Sequence, residues 1–599
     1  MEKQRTREEI EEKYKWDLTT IYKDDEEFLS NYDLVNNKIY EIENYRGRIL
    51  ENSKTLLEFL ELSDDIDRKM SKLYYYSHLK FDQDTTNIKA QELKGKVDNI
   101  FTKYSELSSF IAPEMYKKPY EEVKKLVEEN EQLEKYRFNL ESFYRFETHK
   151  LSEEQEKLLS VFSKVLNSPE HIFESLTDSD MKFGNIKDEN GNLVEFTESN
   201  YSKFIHSSDR EIRKNAFKLL LETYAKYKNT ISNTFKENVD YLVGMAKIEK
   251  FNSSLEASLF SDNIDTTVYN NLIETVHKNL NVLYKYYDLK KEILNLDELH
   301  LYDIYVELIK DLDKEYSFEE AKEIVINALS ILGDDYINNL KKAFDERWID
   351  VYNNVGKRGG AYSSGFYDTN PFVLLNFEGK LNDVSTLAHE LGHSMHTYYS
   401  CKNNTYNNSG YKIFVAEVAS TVNELILNKY LLKNSKDKKE KLFILNNLME
   451  LFKGTIYRQT MFAEFERDMH KKYEDGEILT NELLSNEYYK LNKEYFGPNV
   501  VVDEEIKYEW ERIPHFYYDF YVYKYAIGLS SACYIVDGIV NNKPNALENY
   551  LKFLKSGGSD YPANELKIAG VDVNSSEVIE SAIKMFDETI NEFKTLIKK

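Results

Sequence analysis

The stretch DVSTLAHELGHSMHTY, residues 383–398, contains the motif His-Glu-Leu-Gly-His at 389–393 and predicts one amphipathic α-helix. Residues four apart on a helix point the same way, so His389 and His393 can offer two imidazole nitrogens to one metal ion. Glu390 would lean toward a water molecule on that ion. Catalytic zinc sites use such pairs of histidines. The stretch therefore predicts the first half of a metallopeptidase centre.

Gly392 lies inside this helix, where a glycine costs around 1 kcal/mol relative to alanine. Close packing against a neighbouring element would explain its presence. A second strong helix is predicted from about Ile413, and small residues on it would allow close approach to the first helix: Ala416, Ala419 and Ser420.

We expect the third metal ligand to lie outside the first helix. His396 lies seven residues beyond His389, which is roughly 10 Å of helical rise, so these side chains do not easily converge on one ion. We expect His396 to pack on the helix face or to line a cleft. The second helix carries Glu417 and Glu424 on one stripe among apolar neighbours. One carboxylate can bind the metal while the other orients a ligand histidine, and the spacing alone does not rank them.

The composition excludes several classes of function. Lys and Arg number 79 against 105 Asp and Glu, and the net charge of −26 opposes binding to nucleic acid or to anionic membranes. No apolar run approaches the roughly 18 residues of a membrane span, and residues 1–16 lack the apolar core of a secretory signal. Two cysteines, Cys401 and Cys533, indicate a reducing compartment. We expect a cytoplasmic protein without an obligate protein partner.

The order of predicted elements suggests two domains. Helical patterns with apolar residues at three-four spacing fill residues 26–165, and only 8 Pro and 21 Gly interrupt the whole chain. Residues 181–197 then alternate as a β-hairpin does, with turn residues at 189–192. We expect an N-terminal helical lobe, residues 1–200, that ends in this hairpin. Residues 201–599 would form the catalytic metallopeptidase domain.

A glycine-rich segment interrupts the helices just before the metal helix. Residues 351–377 contain Gly359 and Gly360, and 373–377 is a strand candidate. A strand edge beside the metal helix matters because an extended peptide is most easily held by pairing to it. We therefore expect a small sheet next to the predicted metal site.

These motifs together resemble the oligoendopeptidase F family, whose relatives include thimet oligopeptidase and neurolysin. The resemblance covers nearly the whole chain. Five segments carry it: Tyr14-Lys-Trp-Asp-Leu18, Gly359-Gly-Ala-Tyr362, His389-Glu-Leu-Gly-His393, Glu417-Val-Ala-Ser420 and Ile513-Pro-His-Phe-Tyr517.

The resemblance implies a fold, a metal and a reaction. The implied fold is mainly α-helical, a two-lobed zincin-type metallopeptidase with a small β-sheet beside the active-site helix and a deep substrate channel. In the family the first glutamate of the E-x-x-S segment is a metal ligand, which selects Glu417 and leaves Glu424 to orient a histidine. One Zn²⁺ per chain, held by His389, His393 and Glu417, would then hydrolyse internal bonds of short unfolded oligopeptides, with Glu390 as general base.

The family also implies residues that hold the substrate. The tyrosine-rich segment near the C-terminal third contains His515, Tyr518 and Tyr525. Tyr525 and His515 are the expected catalytic partners, with Tyr525 stabilising the oxyanion, and Tyr518 is expected to bind substrate. The edge formed by Gly360, Ala361 and Tyr362 is expected to lie beside the substrate.

Two other functions remain open from the residues alone. A helical HExxH carboxypeptidase would remove C-terminal residues and would need a cationic group to fix the free carboxylate. A non-catalytic peptide-binding protein would have lost its metal. Cleavage of an end-blocked peptide distinguishes the first alternative, and metal analysis distinguishes the second.

Overall fold

Helices dominate the computed structural model, which describes residues 5–309, 312 and 314–598. The predicted mainly α-helical fold is confirmed, because each strand in the described part of the chain has only two or three residues. The scarcity of glycine and proline accounts for this, since these residues most strongly disfavour the helix interior.

The α-helices are α1 Asp25–Lys38, α2 Ser53–Asp82, α3 Ile88–Ser108, α4 Ile111–Met115, α5 Tyr120–Glu129, α6 Arg137–Tyr144, α7 Glu153–Leu166, α8 Ser168–Glu174, α9 Tyr201–Ile205, α10 Arg210–Ile248, α11 Ser254–Phe260, α12 Thr266–Lys278, α13 Leu280–Leu294, α14 Phe318–Leu329, α15 Asp334–Asp345, α16 Leu381–Asn403, α17 Ile413–Asn434, α18 Lys438–Phe452, α19 Gln459–Glu474, α20 Asn481–Phe496, α21 Tyr523–Val540, α22 Ala546–Ser556, α23 Pro562–Ile568 and α24 Ser576–Lys598. The strands are β1 Asn185–Lys187, β2 Leu193–Glu195, β3 Leu299–His300, β4 Ile349–Asp350, β5 Tyr362–Ser364, β6 Phe372–Leu374 and β7 Val500–Val501.

The backbone divides into two compact units, and each unit combines three stretches of the chain. The first unit contains Met1–Lys150, Asp313–Tyr430 and Ile535–Val571. The second unit contains the remaining stretches: Leu151–Leu312, Leu431–Tyr534 and Asp572–Lys599. The expected division at residue 200, into a helical lobe and a catalytic domain, stays a prediction.

In the first unit, helices α1 to α6 share one apolar core with the small sheet, because Phe372 and Leu374 of β6 belong to that core. The ring of Trp16 meets Phe372 edge-on, with 6.2 Å between centroids. The amide of Val351 donates to the carbonyl of Tyr14 over 3.0 Å. The N-terminal segment therefore helps to fix the sheet that lies next to the metal helix.

The sheet of the first unit has the strand order β4-β6-β5. Strand β4 is parallel to β6, and β5 is antiparallel to it, with Ser363 opposite Val373. The hydroxyls of Ser363 and Ser394 are 2.8 Å apart and join β5 to α16. The predicted small sheet beside the metal helix is confirmed, and its strand starts one residue earlier than the candidate at 373–377.

The predicted β-hairpin is also confirmed, and it lies in the second unit. Strands β1 and β2 are antiparallel, with Ile186 opposite Val194. The side chain of Asp188 accepts hydrogen bonds from the amides of Asn190 and Asn192 at 2.9 and 2.8 Å. These bonds satisfy the backbone of the turn, as short polar side chains commonly do. Elsewhere in this unit, α10 packs along residues 504–512 and α18 along α24.

Helix α16 is longer than the predicted 383–398, because it begins at Leu381 and ends at Asn403. The helix continues to Asn403 because two side-chain amides satisfy carbonyls of its last turn. Asn403 donates to the carbonyl of Tyr399 over 2.7 Å, and Asn404 donates to that of Ser400 over 2.9 Å. Across residues 5–309, 312 and 314–598, we find no helix with the length and apolarity to cross a bilayer.

Helices α16 and α17 pack with their backbones in close contact at Gly392. A Cβ atom at this position would lie 2.5 Å from the Cα of Ser420 and 2.6 Å from the carbonyl oxygen of Ala419. One turn away, the side-chain amide of Asn423 donates to the carbonyl of Ala388 over 3.1 Å. The glycine is therefore required by packing, and its lower helix propensity is outweighed by this contact.

We expect Gly392→Ala to destabilise the protein by about 1–3 kcal/mol, because overpacking against backbone atoms forces the two helices apart. Gly95→Ala in α3 is the matched control, since a Cβ there would meet nothing within 4 Å. This control should stabilise α3 by up to about 1 kcal/mol. Chemical denaturation of both variants measures the difference, and equal stabilities would contradict the packing argument.

Candidate active site

Three ligand atoms from α16 and α17 surround one point. The Nε2 atoms of His389 and His393 are 3.2 Å apart. The Oε2 atom of Glu417 lies 3.4 Å from the first and 3.5 Å from the second. A tetrahedral metal ion with bonds of about 2.0–2.1 Å would hold its ligand atoms about 3.3 Å apart. The three side chains therefore fit a single ion without rearrangement.

Glu424 contacts the other side of the same imidazole. The Nδ1 atom of His389 donates a hydrogen bond to Oε1 of Glu424. Burial lowers the pKa of His389, but the hydrogen bond and charge of Glu424 outweigh this effect and raise the pKa to about 9. The bond also fixes the tautomer, so that Nε2 faces His393 and Glu417. The two glutamates, which the sequence spacing left unranked, thus face different nitrogens of one ring.

Glu417 is held in its ionised form. Burial alone would raise its pKa, but the hydrogen bond and charge of His393, followed by the charge of His389, lower the pKa to about 2. The hydroxyl of Ser420 also donates to Oε2 of Glu417 over 3.0 Å. The serine of the E-x-x-S segment thus helps to hold the ligand carboxylate. Its position three residues after Glu417 on a helix is consistent with this contact.

Glu390 is buried beside the ligand histidines, with 6% of its surface exposed. Burial raises its pKa, and this effect outweighs the opposing charges of His389 and His393. A carboxylate with a raised pKa accepts a proton more readily near neutral pH. Its position in the motif and its environment are both those expected of a general base.

His396 is not part of the ligand group. Its ring stacks on Tyr411 with 3.8 Å between centroids and 7° between planes. The ring of Phe553 packs against it at 5.1 Å. Burial lowers the pKa of His396 to about 3, so the ring stays neutral. As expected from the helical rise, this histidine is a packing residue.

The edge at Gly360, Ala361 and Tyr362 lies at the start of β5, one of the two outer strands of the sheet. The side-chain amide of Asn376 donates to the carbonyl of Gly360 over 2.7 Å. This bond holds the backbone that leads into β5. The hydroxyl of Tyr362 donates to Asp82 over 2.7 Å. Burial raises the pKa of Tyr362, followed by the charge of Asp82. The side chain of Tyr362 is therefore engaged with α2, and its backbone lies opposite Leu374 of β6.

The predicted tyrosine-rich residues form an aromatic cluster in the second unit. The ring of His515 lies 5.5 Å from Tyr518 and 6.2 Å from Tyr525, both edge-on. Burial lowers the pKa of His515, which favours a neutral ring. Tyr518 is 42% exposed. Tyr521, which the sequence analysis did not single out, belongs to the same cluster, and its ring packs 5.3 Å from Tyr525. It precedes α21, so helical spacing could not have predicted this contact.

Two histidines and a glutamate around one point, with a second glutamate inside the motif, define an HExxH metallopeptidase. Comparison with known proteins agrees with this class. The sequence pattern described as Peptidase family M3 matches residues 203–585, and that described as Oligopeptidase F matches residues 114–183. The chain belongs to peptidase family M3 and is a metalloendopeptidase.

Curated relatives and solved structures match over almost the full length. Oligopeptidase PepF of Bacillus subtilis is 42% identical over 593 residues, which cover 99% of this chain and 88% of the relative. Group B oligopeptidase PepB of Streptococcus agalactiae is 40% identical, over 99% of this chain and 98% of the relative. The crystal structure of oligoendopeptidase-F from Enterococcus faecium superimposes with a TM-score of 0.74 at 35% identity, covering 96% of this chain and 99% of that one.

We expect Glu424→Ala to weaken metal binding by about 10–100-fold, because His389 loses the partner that orients its ring. Glu424→Gln is the control, since its amide oxygen can still accept the Nδ1 hydrogen and should preserve more of the affinity. Titration against a competing chelator measures both variants. An alanine variant that binds metal as tightly as the unmodified protein would rule out this orienting role.

Proposed function

We propose that this metalloendopeptidase is a zinc enzyme that cleaves internal bonds of short, unfolded oligopeptides. The observation that carries the proposal is the mutual spacing of 3.2–3.5 Å between the ligand atoms of His389, His393 and Glu417. Two imidazoles and one carboxylate are a common catalytic zinc set. Imidazole ligands favour zinc over the ions that prefer oxygen donors only. The cytoplasmic location expected from the sequence stays a prediction.

The chain's own residues would divide the chemistry as follows. A zinc ion bound by these ligands would polarise the peptide carbonyl and acidify the attacking water. Glu390 takes the proton from that water as it attacks the carbonyl carbon and later delivers it to the leaving amine. Its burial supports this role, since a desolvated carboxylate binds a proton more strongly. Glu424 keeps the ring of His389 in place throughout.

The substrate is held by backbone pairing and by aromatic side chains. A free strand edge pairs with any extended peptide, whatever its sequence, because the hydrogen bonds come from the main chain. Strand β5 is an outer strand of its sheet and is joined to α16 by the contact between Ser363 and Ser394. Gly360 and Ala361 have little or no side chain, so a peptide backbone can approach closely there. These features support a substrate-binding role for this edge.

Tyr525 and His515 would act on the tetrahedral intermediate, whose negative oxygen needs a hydrogen-bond donor. A tyrosine hydroxyl is such a donor, and the lowered pKa of His515 favours a neutral ring that can donate through one nitrogen. Tyr518, with its exposed ring, is suited to contact a substrate side chain. The oxyanion role is assigned first to Tyr525.

Replacing Glu390 by Gln should lower the turnover of an internally quenched peptide by at least about 100-fold, because the general base is lost. The peptide carries an acetyl group and a C-terminal amide, so that only internal cleavage gives signal and a carboxypeptidase gives none. Glu565→Gln is the matched control, since Glu565 is also a buried glutamate of the first unit with a raised pKa. Near-normal rates in Glu390→Gln with full metal content would refute the assignment.

Removal and return of metal test the zinc assignment. Dialysis against a chelator should abolish cleavage, and one equivalent of Zn²⁺ per chain should restore it, because the ligands converge on a single point. The His393→Ala variant should not bind zinc with an affinity comparable to that of the unmodified protein. Metal content is measured by mass spectrometry alongside the rate. Restoration only by an oxygen-preferring ion such as Mg²⁺ would exclude zinc as the working metal.

A further inference from the structure

The turn between the proposed substrate residues has an unusual backbone. Asp519 and Phe520 follow each other with φ angles of 50° and 56°. Both are in the left-handed region, which a bulky aromatic residue adopts only rarely. Such a conformation persists when the surroundings fix it, and it is found most often at functional sites. The contacts that hold this turn therefore indicate which residues keep it in its strained conformation.

The buried carboxyl group of Glu466 holds the backbone of this turn. The amide of Phe520 donates to Oε1 of Glu466 over 2.7 Å. Glu466 lies on α19 and has 0% of its surface exposed. The hydroxyl of Ser258 donates to the carbonyl of Asp519 over 2.8 Å. One turn along α19, the ring of His470 packs 4.5 Å from that of Phe520. Two hydrogen bonds and a ring contact thus hold two consecutive residues.

The turn connects the members of the aromatic cluster. His515 precedes it, and Tyr521 and Tyr525 follow it. The ring planes of His515 and Tyr525 are 75° apart, and those of Tyr521 and Tyr525 are 86° apart. These angles depend on the direction in which the chain leaves the turn, because α21 begins only at Tyr523. A change at Phe520 would therefore rotate Tyr525 relative to His515.

Within the part of the chain that the structure describes, Glu466 forms no ion pair, and its Oε2 atom has no hydrogen-bond partner. Burial raises the pKa of Glu466 to about 8, so at neutral pH the group is mostly protonated and uncharged. A buried polar group without full compensation costs stability. Its contact with the Phe520 amide is the feature that offsets this cost.

We propose that Glu466 is a positioning residue for peptide hydrolysis, which holds the Phe520 amide and thereby sets Tyr525 and Tyr521 relative to His515. The inference rests on the proposed function, because it presumes that Tyr525 acts on the intermediate. Glu466 itself would not touch the substrate.

The test compares two replacements in the full-length zinc-loaded enzyme with the end-blocked peptide. Glu466→Leu has a similar volume but no acceptor, and its kcat should fall about tenfold, because small displacements of a catalytic group are costly. Glu466→Gln keeps an acceptor in nearly the same shape, and its kcat should stay within about threefold of the unmodified enzyme. KM and zinc content should change little in either variant. A kcat loss of equal size in both variants would overturn the proposal.

A matched variant separates positioning from general damage. Glu565 is also buried, with a pKa raised to about 8, and its Oε1 has no hydrogen-bond partner among the described residues. Glu565→Leu should lower the melting temperature in a similar way but leave kcat unchanged. Equal kcat losses in Glu466→Leu and Glu565→Leu would overturn the proposal. If Glu466→Leu does not fold, Glu466→Met keeps the unbranched shape of glutamate without the oxygen acceptor, and an unchanged kcat there would have the same consequence.

A double-mutant cycle distinguishes failure of this inference from failure of the proposed function. Residues that act through one another give non-additive effects. Tyr525→Phe alone should lower kcat by about 100-fold, the usual effect of removing one oxyanion donor, and adding Glu466→Leu to it should then cost little more. An unchanged kcat in Tyr525→Phe would overturn the role of Tyr525 itself. A large loss in Tyr525→Phe together with full additivity would overturn only the role of Glu466.

Discussion

The contact between α16 and α17 is the constraint on which the metal-ligating group depends. Because Gly392 has no side chain, the backbone at Ser420 reaches a distance that any other residue would prevent. Asn423 joins the helices again one turn further on. Both helices are rigid on this scale, so the position of their crossing determines where every side chain between them points. Glu417 and Glu424 reach the same histidine as a consequence of this crossing.

The two glutamates can share one histidine because the two nitrogens of an imidazole ring point in different directions. Glu417 and Glu424 are seven residues apart, so they lie on the same face of α17 and are separated by about 10 Å of helical rise. The ring of His389 bridges part of this distance. A metal ion can bind Nε2 only when that nitrogen carries no proton, so the affinity of the site depends on pH.

Much of this centre follows from local sequence, because helical periodicity is a local property. The pattern at 389–393 fixes the two histidines, and the small residue at Gly392 signals a close neighbour. The roles of Glu417 and Glu424 could not be separated in the same way, since they depend on how far one helix is displaced along the other. The direction of the Tyr362 side chain could not be predicted from the local sequence either, because its partner Asp82 is 280 positions away in the chain.

The carboxyl groups of Glu424 and Glu466 hold a histidine ring and a backbone turn, respectively. The charge of each carboxyl group depends on the group that it binds. Glu424 faces an imidazole that can carry a positive charge, and the pair is stabilised by Coulomb attraction as well as by a hydrogen bond. Glu466 faces only a backbone amide, which brings no compensating charge, so burial keeps it neutral. A neutral carboxyl accepts a weaker hydrogen bond than an ionised one. The hydrogen bond that holds the Phe520 amide is therefore weaker than the one that orients His389.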